Sequence, residues 1–449
     1  MRIKEKREAQ ASEHIRSLSI MPFRLPTSRC MRTDTYACLH QPALISPFPR
    51  RRPWKIMTSV NVCTYWRRSW LSLVFNGYMK MTSHWTAAHV AAIDPSTIPF
   101  SPAFAKPHPL IAGVDLWDYW PIQEMDGTQA EIAGGTLFIL LSAPAQIDPD
   151  ARHGKARLRL MHRVAGQWHD LGLLFDADFS PGSREWSGSA IVSPDHGAIT
   201  LYYTVAGARG EANISFSQRL FETHADFTVE KGRPIVSPWS APVEMFQPDG
   251  IDYVKDMEGG GAIGTIKAFR DPAFFRDPVD GEAYVFFAAS LAASTSLWNG
   301  AVGMARRNAQ GLWDAMPPLI SADGLNNELE RPHAILYDGR YYLFWSTQEK
   351  VFASDGPTGP NGLYGMVADQ LAGPWRPING TGLVFANPPE APFQAYSWFV
   401  LPDLTVQSFA DMTQLAHSPR SPEEARAHFG GTPAPELRLI LQNDRARLA

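Results

Sequence analysis

The stretch Leu158–Phe175, LRLMHRVAGQWHDLGLLF, reads as two β-strands, Leu158–Val164 and Trp168–Phe175, around a tight Ala165-Gly166-Gln167 turn. The second strand opens on a tryptophan just past a glycine, and the arrangement returns twice. Gln310-Gly311-Leu312-Trp313 and Ala372-Gly373-Pro374-Trp375 have the same order, each followed by a polar step and an apolar run. Three such starts predict repeated four-stranded sheets set radially, an all-β propeller, although hairpin tryptophans in a β-sandwich would give the same pattern. For a domain of roughly 340 residues, five blades fit.

Outward from this stretch the chain keeps alternating strand and turn. Gly135–Pro144 (GTLFILLSAP) is an apolar run bounded by Gly and Pro, and Ala198–Val205, Glu282–Ala288, Ala334–Tyr337 and Arg340–Trp345 read as further strands. Asp280-Gly281 and Asp338-Gly339 supply the positive φ that two-residue hairpin turns need. A single helix is expected near the C-terminus, peripheral, with Ser421 as N-cap, Pro422 at its first position and Glu424 completing a capping box.

Composition divides the 449 residues in two. Residues 1–80 hold 15 Lys/Arg against 4 Asp/Glu and all three cysteines (Cys30, Cys38, Cys63), a charge of +11 that leaves −15 for the remainder. With Arg50-Arg51-Arg52, scattered prolines and no hydrophobic period, the front reads as a disordered extension, from an over-extended reading frame whose start is near Met79 or Met81. The apolar part of Trp70–Met79 is too short to span a membrane, and no clean signal-peptide cleavage site follows it. Residues 81–449 are then the catalytic domain. Its acidity argues against a nucleic-acid partner, and without cysteine it has neither a disulfide framework nor a thiolate metal site.

Three carboxylate settings stand out. Asp118 lies in Leu116-Trp117-Asp118-Tyr119-Trp120-Pro121, half-desolvated between indoles of the kind sugar rings pack on, whereas Asp115, three residues earlier, should face the other way and is structural. Arg270-Asp271-Pro272 leads into a buried strand where Asp271 needs a partner, while Arg276-Asp277-Pro278 reads as a surface hairpin loop. In Asn326-Asn327-Glu328-Leu329-Glu330-Arg331-Pro332-His333 the two glutamates share a strand face, so one pKa rises; a solvated acidic edge is the plainer alternative. Together they make a minimum set for retaining glycoside chemistry, with working carboxyls about 5–5.5 Å apart. No phosphate-cradling loop, His-rich metal spacing, Asp-rich calcium loop or nucleophile elbow competes, so no metal and no cofactor is expected.

Trp-Asp-x-Trp-Pro (117–121), Glu-Trp-Ser-Gly (185–188), Phe-Arg-Asp-Pro (269–272) and Glu-x-Glu-Arg-Pro-His (328–333), in that order, resemble glycoside hydrolase family 68, the levansucrases, inulosucrases and related bacterial β-fructofuranosidases. Phe246-Gln247-Pro248-Asp249-Gly250, Gln394-Ala395-Tyr396-Ser397 and Phe429-Gly430-Gly431-Thr432 extend the resemblance almost to the C-terminus. It implies a five-bladed β-propeller with a central funnel-shaped pocket for sucrose. Asp118 would be the fructosyl nucleophile, Glu330 the acid/base and Asp271 the transition-state stabiliser. Trp117, Trp186, Ser187, Arg270, Glu328, Arg331, Gln348 and Tyr396 would line the sugar subsites. The implied partners are sucrose and the fructosyl acceptors water, sucrose and fructo-oligosaccharides, met outside the cell or in the periplasm; with no clear signal peptide, a cytoplasmic place stays open.

Two departures from the family pattern stand out. Tyr119 follows Asp118 where the family has Ser or Thr, and its phenol should point away from the pocket. Gln348 stands where polymer-forming relatives carry His or Arg, and with short loops this favours hydrolysis and short-oligosaccharide transfer over levan synthesis. The alternatives are a polymer-forming levansucrase, an inverting five-bladed glycosidase, whose carboxyls would stand about 6.5–9.5 Å apart, and a non-catalytic sugar-binding propeller. The plant-and-yeast invertase pattern, Asn-Asp-Pro-Asn with Glu-Cys, does not occur in this chain.

Overall fold

The computed structural model describes residues 82–255 and 266–449; the basic extension expected over 1–80, with its cysteines and the Trp70–Met79 run, lies outside the described residues. What is described is all-β, with strands following one another as antiparallel meanders. The first consists of Val114–Gln123, Thr136–Pro144, Arg157–Val164 and Gln167–Leu173. The second consists of Arg184–Val192, Ala198–Ala206 and Gln218–Glu230, with Arg233–Val236 and Val243–Glu244 along the last. A short parallel pairing, Ile122 with Ala190 and Gln123 with Ile191, joins these two into one nine-stranded sheet. Phe269–Arg276, Ala283–Ser290, Gly300–Arg307 and Trp313–Ser321 make the next sheet, with Ser83–His84 pairing parallel to its edge. Glu330–Tyr337, Arg340–Thr347, Gly362–Ala368, Arg376–Pro377 and Leu383–Ala386 form another. The last sheet runs from Ala395–Val400 through Thr405–Met412 to Arg445–Leu448.

The tryptophan rhythm has a structural meaning. Trp168, Trp313 and Trp375 each stand at or just before the fourth strand of a meander (Gln167–Leu173, Trp313–Ser321, Arg376–Pro377). Second strands are covered on both faces, so Leu137–Ala143 is buried without a break. Fourth strands meet solvent, and Gln167–Leu173 has no fully buried residue. A tryptophan there closes the sheet's edge: Trp168 lies 4.8 Å from Phe138 and 6.1 Å from Tyr119, ring centre to ring centre. At the start of the described chain Trp85 is buried against Trp345 and Phe352 and donates to the Thr381 carbonyl at 2.9 Å.

Several local expectations need correction. Asp338 and Gly339 both have positive φ (49° and 73°), as a two-residue hairpin requires, but at the other turn only Gly281 does (75°). There the connection is wider, with Gly281 N–H donating to the Asp277 carbonyl at 2.8 Å and Asp277 N–H to that of Glu282 at 3.0 Å. Asp277 is no surface residue: it is buried and accepts from the Tyr341 hydroxyl of the next sheet at 2.8 Å. In the helix Pro422–His428, Ser421 accepts from Glu424 N–H, but the Glu424 carboxylate turns to Arg420 N–H at 2.6 Å, so the capping box is only half made. Nor is that helix peripheral. Its Arg426 grips the buried Asp115 with two bonds of 2.7 Å, clamping the first strand of the first meander.

Asp115→Asn breaks this two-pronged contact and leaves Arg426 facing a neutral amide. Loss of one partner from a largely buried pair should cost on the order of 3 kcal/mol in urea unfolding. Arg420→Ala, at the solvent-facing Arg420–Glu424 pair, should leave the midpoint unmoved.

Candidate active site

The first strand of each meander breaks register at one place, and the site is made of those breaks. Trp117 pairs with Leu141 and Tyr119 with Leu140, leaving Asp118 out of the ladder at φ 29°. The second meander slips between Trp186 and Gly188, freeing Ser187. The third slips between Arg270 and Ala273, with Asp271 at φ 62°. The fourth slips between Glu330 and His333, with Arg331 at φ 50°, and the fifth between Tyr396 and Phe399, with Ser397 at φ 62°. A bulge re-aims its side chain, and a non-glycine residue held in the left-handed region costs about 1–3 kcal/mol, so such strain persists only where the surroundings enforce it. At Gly188 a Cβ would lie 1.9 Å from the Tyr202 carbonyl oxygen, so only glycine lets the Ser187 bulge sit this close to its neighbour.

Hydrogen bonds tie the breaks into a closed circuit. Ser187 Oγ donates to Asp118 Oδ2 at 2.7 Å. Thr204 Oγ1 donates to the Ser187 carbonyl at 2.9 Å and accepts from Asp271 N–H at 2.8 Å. Asp271 Oδ2 in turn accepts from Arg331 N–H at 3.1 Å. The Arg331 guanidinium reaches Ser397 through Nη1, at 3.0 Å to both its carbonyl and hydroxyl oxygens, and the Tyr119 carbonyl through Nη2 at 3.0 Å, next to the starting Asp118. Val400 N–H donates to His333 Nε2 at 2.8 Å, so the proton sits on Nδ1 and is donated to the Arg331 carbonyl at 2.9 Å. Burial holds His333 neutral, its pKa down at about 3.

Inside this circuit one cation serves three carboxylates. Arg270 Nη2 bonds Glu330 Oε1 at 2.7 Å and Glu328 Oε2 at 3.2 Å, and its Nε lies 3.7 Å from Asp271 Oδ2. Burial and the neighbouring Glu330 push Glu328 up to about 7, against the pull of Arg270. Burial works the same way on Glu330, but Arg270, the Tyr396 hydroxyl and a hydrogen bond from Glu328 outweigh it, so Glu330 titrates low. Burial also lifts Asp271 to about 6, opposed by Arg270 and abetted by Glu330. Tyr396 donates a very short hydrogen bond to Glu330 Oε2, and the Gln348 side chain beside the same phenol eases its pKa down against burial. Two donors in this neighbourhood, Arg270 Nη1 and Trp186 Nε1, have no acceptor among the described residues.

The sequence-derived residues therefore largely converge, with two corrections. The expected sugar contact of Arg331 is not made available, because its guanidinium is buried and bound to Ser397 and Tyr119 while stacking on Trp120 and Phe399. Glu328 and Glu330 do not share a strand face: the strand starts at Glu330, and Glu328 sits in the preceding loop, its N–H held by Asn326 Oδ1 at 2.8 Å. The Tyr119 phenol does point away, into a buried cluster with Leu116, Phe138 and Met161. Trp117 is buried, with the Arg152 guanidinium 5.5 Å over its ring and His153 at 6.0 Å. Thr204, Arg152, His153 and Asp411 were not read from sequence. Burial raises Asp411 to about 6, against Arg152, and it feels the charge of Asp118. The signal for Thr204 is a short polar side chain among the bulky apolar and aromatic ones of Leu201-Tyr202-Tyr203-Thr204-Val205. Among the described residues no group of three or more His, Cys, Asp or Glu is disposed to hold a metal ion.

Comparison with known proteins matches this arrangement to one family. The profile described as Levansucrase/Invertase, glycoside hydrolase family 68, matches residues 74–300 and 293–448. The levansucrase LscC of Pseudomonas savastanoi pv. glycinea is 33% identical, the match covering 79% of this chain and 86% of that protein. A levansucrase of Rahnella aquatilis is 31% identical, covering 81% and 93%. Among solved structures, an inulosucrase from Halalkalicoccus jeotgali bound to kestose superposes with a TM-score of 0.76 at 35% identity, covering 82% of this chain and 95% of that one.

Arg270→Met should strand three buried carboxylates. With the cation gone Glu328 and Asp271 rise further above the unfolded carboxylate range and Glu330 loses the main attraction that holds it low, so the folded form binds more protons than the unfolded and stability falls as pH rises. The variant should lose about 3–5 kcal/mol near pH 8 and recover much of it toward pH 5, read as unfolding midpoints across that range.

Proposed function

The chain belongs to the Levansucrase/Invertase family, glycoside hydrolase family 68, and from that premise we propose that it is a retaining β-fructosyl enzyme that splits sucrose. It releases glucose and passes the fructosyl unit to water or to a sugar. The observation that carries the reading is the closed circuit joining Asp118, Asp271 and the Glu328–Glu330 pair across bulges of separate meanders. Its five meanders are read as blades of a propeller around a funnel-shaped pocket, with residues 81–449 as the catalytic domain.

Asp118 is the nucleophile. Ser187 fixes its Oδ2, so Oδ1 attacks the anomeric carbon of the fructosyl unit as the bond to glucose breaks, giving a covalent fructosyl-enzyme. Glu330 protonates the departing glucose oxygen and later takes the proton of the incoming acceptor. Its own surroundings favour the ionised form, so Glu328, lifted to about 7, stores the proton and hands it over along the hydrogen bond between the two. Asp271 takes fructosyl hydroxyls and faces the positive charge that develops on the ring. Arg270 Nη1 and Trp186 Nε1 supply donors for the sugar, and Trp117, Glu328, Gln348 and Tyr396 complete the subsites.

Sucrose incubation with time-resolved glucose and fructose assays tests the reading. Both sugars should appear, any glucose excess measuring transfer, and Asp118→Asn should abolish both while keeping the wild-type melting temperature. Release of neither sugar by the wild type would end the proposal.

Product balance depends on Gln348. A neutral amide beside Tyr396 offers an acceptor sugar no charge-assisted bond, so water and short acceptors should take most of the fructosyl units. In concentrated sucrose Gln348→His should raise the glucose-to-free-fructose ratio by about the 5- to 10-fold that one such bond supplies. Mainly high-mass fructan from the unaltered chain would instead identify a polymer-forming levansucrase.

A further inference from the structure

We propose that Thr204 is a positioning residue for fructosyl transfer, its hydroxyl locking the Ser187 and Asp271 bulges together so that the nucleophile's partner and the sugar-holding carboxylate are placed as one unit. This rests on the fructosyl-transfer reading of the same site.

The bulges leave backbone groups without ladder partners. A residue pushed out of a ladder keeps its N–H and C=O, and when buried they must be bonded or they destabilise the fold. At the second and third bulges the exposed groups are opposite in kind: Ser187 presents a carbonyl and Asp271 an N–H. A hydroxyl carries one proton and accepting lone pairs, so it can serve both at once. Thr204 is fully buried, pairs with Trp186 at the register break, donates to the Ser187 carbonyl at 2.9 Å and accepts from Asp271 N–H at 2.8 Å. A second hydroxyl from the same meander secures the far side of the Asp271 bulge: Ser189 Oγ donates to the Pro272 carbonyl at 2.8 Å and accepts from Phe274 N–H at 2.9 Å. Pro272 has no N–H of its own, so these two hydroxyls are what hold the bulge against the neighbouring meander.

Thr204 touches no reacting atom; its influence passes through Ser187 to Asp118 and through the backbone to Asp271. Valine keeps the shape and removes both bonds. Thr204→Val should therefore lower kcat for sucrose by about 10- to 100-fold, the scale of a sub-ångström misplacement. KM should stay nearly unchanged, because the lost interaction matters in the transition state. Thr204→Ala, also without a hydroxyl but smaller, should show the same split should the valine variant fail to fold. Thr204→Ser, which restores the hydroxyl, should recover activity to within about threefold of wild type, as the intact bonds require. Active-enzyme titration by the fructosyl burst, with melting temperatures, corrects for unfolded protein. Wild-type kcat per active enzyme in the hydroxyl-less variants overturns the proposal, as does a loss that Thr204→Ser shares in full. A wild type that leaves sucrose intact removes the underlying reading instead.

Discussion

A β-strand that leaves its ladder for one or two residues frees backbone groups and re-aims side chains, and here it happens once in the first strand of every meander. The breaks fall at Asp118, Ser187, Asp271, Arg331 and Ser397, four of them at positive φ. None of these conformations is stable by itself. What enforces them is bonding to a neighbouring meander: Ser187 on Asp118, Thr204 on Asp271, Asp271 on Arg331, Arg331 on Ser397 and Tyr119. The strain in one sheet is relieved only by the presence of the next. The site therefore exists when the meanders are assembled and not before, which is why the polar core of the domain and its chemistry coincide.

Charge sets the second constraint. Glu328, Glu330 and Asp271 are enclosed around a single guanidinium, and three ionised carboxylates against one cation would leave excess negative charge in a region that solvates it poorly. The cluster answers by keeping a proton: Glu328 stays protonated to about 7 and Asp271 to about 6. A protein folding around these groups thus stores the acid that glycoside cleavage needs. The proton belongs to the pair, and which glutamate carries it depends on the donors facing each. Arg270 and Tyr396 face Glu330, so the resting proton lies on Glu328.

Much of this was legible in the sequence. The fourth-strand tryptophans, the apolar second strand 136–144 and the Asp338-Gly339 turn could be read because they depend on local pattern and turn chemistry. Asp118 and Asp271 stand out because carboxylates in aromatic or apolar company need a reason, and Glu330 because it is paired with Glu328 in a motif that resembles the family's. The bulges did not show, since alternation assigns every strand residue a face and has no symbol for a skipped one. So alternation puts Glu328 and Glu330 on one strand, and the resemblance assigns to the sugar an Arg331 that instead closes the circuit. Asp115 was rightly set aside as structural, yet its partner Arg426, 311 residues away, could not be found by spacing. Thr204 is hidden for the opposite reason: a threonine in a buried strand looks like tolerance until the unpaired groups on both sides are known.

The same circuit gives the neutral Gln348 a meaning beyond acceptor binding. The Gln348 side chain acts on the Tyr396 phenol, drawing its pKa down against burial, and that phenol donates to Glu330. A cation at position 348 would draw the phenol's electrons, strengthen its donation and hold Glu330 still more firmly ionised. It would thereby oppose proton transfer from Glu328 in the step that releases glucose while favouring the ionised Glu330 that accepts a proton from the incoming hydroxyl. An amide avoids that bias, and burial already keeps the phenol protonated. The residue at 348 thus bears on both halves of the reaction: its charge sets what an acceptor sugar can hold on to, and through Tyr396 it sets how readily Glu330 exchanges the proton that both halves share.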